Sequence, residues 1–116
     1  MTYIEAAVSA VPNANRAVYE EFSRQTGAIF KDHGLLTLIE CWGEDVPEGD
    51  LTSFPLAVKL QDGESVVLSW MVWPDKATRD EGWRAIMDDP RMEALGQMPF
   101  DGKRMIFGGF EPIVEL

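Results

Sequence analysis

The stretch SVVLSWMVW, residues 65 to 73, constrains the fold more than any other part of the chain. Alternate side chains of an extended segment point to opposite faces, so Val66, Leu68, Trp70 and Val72 share one side and Val67, Met71 and Trp73 the other. After Ser65, only Ser69 is polar. The last strand expected, RMIFGGFEPIVEL at residues 104 to 116, divides in the same way into Met105 and Phe107 against Ile106 and Phe110. Strands that are apolar on both faces need cover on both.

The rest of the chain supplies cover for one face. Residues 3 to 11, YIEAAVSAV, read as a first strand stopped by Pro12. From Ala14 to about Asp32 the apolar spacing of Ala14, Val18, Phe22 and Ile29 predicts an amphipathic helix, closed by Gly34 with Lys31 and His33 near its C-terminus. A second strand, Leu35 to Trp42, runs into an acidic loop around Pro47 and Gly49. AVKL at 57 to 60 is expected as a short added strand, joined to 65 to 73 through a tight turn at Asp62-Gly63. Asp75 caps a second helix with Ala77, Trp83, Ile86 and Met87 inward, weakened by Gly82. Asp89-Pro90 starts a shorter helix that ends near Gly96. Pro112 places the end of the last strand at an edge or at an interruption.

This order describes one α+β domain over residues 1–116: a ferredoxin-like βαββαβ antiparallel sheet with both helices on one face. No third long helix remains for the other face, so a second copy is expected there and the chain is read as a homodimer.

Twenty Asp and Glu against ten Lys and Arg give a formal charge of −10, which argues against nucleic-acid and anionic-membrane partners. A single cysteine, Cys41, permits no internal disulfide, and no metal-ligand spacing is present, so neither a metal nor another cofactor is expected. The start lacks a basic leader, and the expected location is cytoplasmic.

His33, the only histidine, and Glu40, on the second strand, are the candidate proton-transfer residues. For His33 a cation at the helix C-terminus is the simpler role. Glu5 and Glu40 would form a carboxylate pair if both faced the uncovered side of the sheet. Candidate ligand contacts are Trp42, Trp70 and Trp73 as aromatic walls, Phe54 on a lid formed by the Val46–Pro55 loop, Arg104 as an anion partner, and Gly108 as a pocket floor. Each has a plainer alternative in core, interface or turn.

DVPEGDLTSFP at 45 to 55, VVLSWMVW, DDPRM around Pro90 and MPFDGKRMIFGGFE at 98 to 111 resemble the uncharacterised bacterial YbaA-like family. The resemblance implies the dimeric α/β-barrel group, in which ferredoxin-like subunits pack sheet to sheet. It carries no catalytic residues with it. The expected function is binding of a small apolar or aromatic molecule between sheet and helix. The alternatives are a cofactor-independent monooxygenase-like enzyme, as occurs among relatives of that barrel type, and a purely structural or interaction protein.

Overall fold

The computed structural model describes residues 1–116. Its elements are β1 (Tyr3–Pro12), α1 (Arg16–Asp32), β2 (Thr37–Trp42), α2 (Phe54–Ala57), β3 (Glu64–Trp73), α3 (Lys76–Met87), α4 (Pro90–Ala94) and β4 (Ile106–Phe110), with 3-10 turns at Asn13–Asn15 and Gly102–Arg104. The four strands form one antiparallel sheet in the order β2-β3-β1-β4, the ferredoxin-like α+β arrangement.

The register separates the two faces. Glu5 lies opposite Met71 and Gly109, Ala7 opposite Ser69 and Phe107, and Glu40 opposite Ser69. All of these share the face on which α1 and α3 lie, because Glu5 bonds to Trp83 of α3 and Glu40 to Ser23 of α1. On the other face, Ile39, Trp70, Ala6 and Gly108 form one row across all four strands.

Two apolar clusters fill the helix side. Phe30, Leu35, Trp73 and Ile86 make one, with the Phe30 ring set edge-on to Trp83 at a 5.0 Å centroid distance. Val11, Tyr19 and Val67 make the other, joined by Trp42 and Phe100. Gly82 is explained by close approach: a Cβ there would sit 2.8 Å from the Trp73 ring and 2.6 Å from the His33 carbonyl oxygen. The helix gives up backbone stability at this position to lie against the indole.

Several expectations need correction. AVKL is not a strand: residues 54 to 57 form a helical turn, with Ser53 accepting the Leu56 N–H at 3.0 Å and Pro55 in the first turn, after which Val58 and Leu60 fold onto the sheet. The apolar-polar alternation there comes from a loop that anchors itself by two side chains. The last strand spans only Ile106–Phe110, and the tail beyond Pro112 has no regular structure. The buried stripe of α1 is Tyr19, Ser23, Gly27 and Phe30, with Ile29 beside it, whereas Val18 is exposed. Small and polar residues take that face because they meet Glu40 and Leu38. On α3, Gly82 and Ile86 are buried, while Ala77 and Met87 are exposed.

The face away from the helices has partial cover from its own chain. Val46, Val58 and Leu60 pack on Val8, Ala10 and Val66 at one end of it. Ile106, beside Val8 in the register, and Ile39, Trp70 and Phe110 further along stay 41–56% exposed.

Candidate functional site

A cavity of about 600 Å³ lies between α1 and the edge strand β2. One wall is a single stripe of α1 that includes Arg16, Ser23, Gly27 and Lys31. The other is the inward side of β2, with Leu38, Glu40 and Trp42 at alternate positions. It is open to solvent along the side where Arg24, Ala28, Lys31 and Glu40 are exposed, with a volume in the range of small-molecule sites.

Glu40 is the chemical centre. Its Oε1 accepts from the Tyr19 hydroxyl at 3.0 Å and the Ser69 hydroxyl at 2.5 Å, and its Oε2 accepts from the Ser23 hydroxyl at 2.6 Å. Burial and the neighbouring Glu40 carboxylate push the Tyr19 hydroxyl well above the ordinary tyrosine value near 10, so Tyr19 keeps its proton and donates it. At one end of the cavity the Arg16 guanidinium lies 5.1 Å from the centre of the Trp42 ring, a cation–π contact. Arg16 and Arg24 both face Glu20, at 3.7 and 3.8 Å.

Glu5 also faces the helices but occupies a separate place, so the two carboxylates do not form a pair on the uncovered face. It is 4% exposed. Its Oε1 accepts from the indole N–H groups of Trp73 at 2.8 Å and Trp83 at 2.7 Å, with Arg79 Nε at 3.3 Å. Arg79 in turn lies over the Tyr3 ring at 5.4 Å. The cluster fastens α3 to β1 and β3.

The other residues singled out from sequence are dispersed. Trp73 is fully buried under α3, and Trp70 and Gly108 share a row on the opposite face of the sheet. Phe54 begins α2, in the segment that lies on that opposite face, so the Val46–Pro55 loop does not cover the α1–β2 cavity. Arg104 is engaged in a clamp: two bonds of 2.7 Å to Glu64, one of 3.0 Å to Asp101 and one of 3.0 Å to the Lys59 carbonyl. These hold the turn before β4 to the start of β3. His33 follows α1 and bonds Asp89 at 2.9 Å. Arg91 first, and His33 second, hold the Asp89 carboxyl well below the usual carboxylate range. No group of three or more His, Cys, Asp or Glu is placed to hold a metal ion.

Of the residues singled out from sequence, the structure brings Glu40 and Trp42 to this cavity, a pairing the sequence did not suggest, and Tyr19, Ser23 and the cations of α1 were not singled out. Ser23 and Gly27 lie one turn apart on the buried face of α1, but their partners are on β2, so the helix sequence alone carried no signal for them.

Known proteins agree with this architecture. SnoaB, a cofactor-independent oxygenase from Streptomyces nogalater, superposes with a TM-score of 0.58 at 18% identity, covering 99% of this chain and 96% of its own. A dimeric ferredoxin-like protein from an uncultured marine organism gives a TM-score of 0.62 at 10% identity, covering 100% of both chains. At such identities the likeness shows the fold. Much nearer in sequence is the uncharacterized protein YbaA of Escherichia coli strain K12, 46% identical over 116 residues with 99% of each chain covered. The family model described as "Protein of unknown function (DUF1428)" matches residues 2–102, and with it this chain belongs to the DUF1428 family.

Proposed function

We propose that the protein is a homodimer that binds a small molecule with an apolar or aromatic body in the cavity between α1 and β2. The observation that carries this reading is the cavity itself. It combines an indole and aliphatic wall residues with five charged side chains, among them Glu40, which is fixed by three hydroxyls, so that apolar contact and oriented polar groups meet in one concave site. The dimeric state draws support from the exposed apolar row on the far face and from a dimeric protein of the same fold.

Thermal-shift screening with small aromatic compounds tests it, because a ligand that binds only the folded state raises the melting temperature by mass action. Compounds that stabilise the parent should have no effect on an Ala28→Phe variant, in which an exposed lining position is filled. Stabilisation that survives this change would place the ligand elsewhere, and a library without any stabilising compound would refute the reading.

Catalysis is the second reading, favoured by the carboxylate inside the cavity and by a fold shared with a cofactor-independent oxygenase. In such a role Glu40 accepts a proton from the bound molecule. Oxygen uptake in the presence of a stabilising compound, lost in Glu40→Gln, is the expected result. No uptake with any binding compound leaves binding alone.

A further inference from the structure

We propose that the molecule this cavity takes is a planar aromatic carboxylate with a free hydroxyl at its far end, its hydroxyl donated to Glu40 and its carboxylate held by Lys31. The inference rests on the reading of the α1–β2 cavity as a ligand site and specifies the chemistry of the ligand.

Charge is the first ground. The whole chain carries −10, yet the lining of this cavity sets Arg16, Arg24 and Lys31 against Glu20 and Glu40, a local excess of one positive charge. Arg16 and Arg24 are occupied with Glu20, whereas Lys31 has no acidic partner within 4.0 Å. A free cation at one end of a cavity in an acidic protein selects an anionic group.

Glu40 is the second ground. Three cations line the same cavity, but the carboxylate bonds only to hydroxyls, from Tyr19, Ser23 and Ser69. A serine hydroxyl rotates about its C–O bond, so Ser23 can turn its proton away and leave Oε2 to accept from a ligand hydroxyl. An arginine partner would neutralise the acceptor instead. Because Glu40 accepts every bond it makes, the group that it reads is a donor, and the ligand's own anion belongs at the other end.

Spacing is the third ground. Ser23, which marks the level of Glu40, and Lys31 are eight residues apart on α1, about 12 Å along the axis. Between these levels Leu38 packs onto Gly27, and beside that contact the exposed Ala28 leaves an apolar strip along the mouth of the cavity, with Arg24 at its edge. One aromatic ring with a short conjugated arm, polar at both ends, spans that interval.

Titration calorimetry with para-coumarate, cinnamate and para-propylphenol separates the two ends. The hydroxy acid should bind roughly tenfold or more tighter than either compound that lacks one group. Lys31→Ala should reduce para-coumarate to the level of para-propylphenol and leave para-propylphenol unchanged. Glu40→Gln should reduce para-coumarate to the level of cinnamate and leave cinnamate unchanged. Equal binding of all three compounds, or an equal loss of all three in both variants, overturns the inference while the cavity remains a ligand site. Stabilisation only by compounds without an anionic group, with sensitivity to Ala28→Phe, does the same. No binding of any probe overturns the inference too, and the cavity reading then stands or falls on the Ala28→Phe screen.

Discussion

At the scale of single residues, Tyr19 links the site to stability. Its hydroxyl is held protonated in the folded chain, above the ordinary value near 10, by burial first and by Glu40 second. A group whose folded pKa is raised contributes stability that is complete below its unfolded pKa and is lost as pH rises beyond it. Alkaline unfolding should therefore set in above pH 10. In a Tyr3→Phe variant, where Tyr19 is the remaining tyrosine, tyrosinate absorbance should rise only together with loss of tertiary structure. A reversible rise near pH 10 in folded protein would show that the hydroxyl is free. Glu5 is the second residue with large leverage. Glu5→Leu takes the acceptor from two indole N–H groups and the nearer carboxylate from Arg79, whose guanidinium keeps Asp80 at 3.0 Å, and each buried donor left without an acceptor costs about 1–3 kcal/mol. Glu5→Gln should cost less, since an amide oxygen still accepts from both indoles. Urea unfolding gives the comparison, and a Glu5→Leu chain as stable as its parent would mean that the two indole N–H groups find another acceptor or water. From sequence, Glu5 was visible only as an acid in the middle of a strand. Its partners lie 68 and 78 residues away along the chain, a separation that no local pattern encodes.

At the scale of elements, the strands and long helices were legible because their periods were strong, while short segments were not. β1, β3 and α3 begin and end within one or two residues of where alternation, Asp75 and Pro90 put them. Residues 57–60 show the opposite case, since four residues can satisfy a strand period while folding as the end of a helical turn and a loop. Which stripe of α1 turns inward was equally hidden, because Ser23 and Gly27 face the sheet for reasons that lie on β2. The α2 segment is in fact a structural layer. Val58 is fully buried against β1 and β3, so Val58→Ala should lower stability by about 2 kcal/mol, from two lost methyl groups and the space they leave. Leu51→Ala, at a side chain that is 99% exposed, should change nothing measurable. Equal effects from both, read as urea midpoints, would mean that the segment does not rest on the sheet.

At the scale of the whole molecule, the proposed homodimer follows from the far face of the sheet, where Ile39, Trp70, Ile106 and Phe110 stay exposed beside and beyond the patch that Val58 and Leu60 cover. Sedimentation equilibrium at micromolar concentration should give twice the 13.0 kDa chain mass. Trp70→Glu should shift the protein toward the single-chain mass and reduce its solubility. A folded single chain in the parent would show that the row is tolerated in water. The sheet order has a further consequence, for the timing of synthesis. β1 emerges first, yet it is an interior strand whose two neighbours are β3 and β4, so Ile4 waits for Val72 on one side and for Phe110 on the other. A ribosome must deliver nearly the entire chain before this strand has both its partners, and until then both of its hydrogen-bonding edges are available to chaperones or to neighbouring nascent chains. Folding should accordingly be slow for a chain of this length and concentrated at the end of translation, and a pause between β3 and β4 would leave one flank of β1 open.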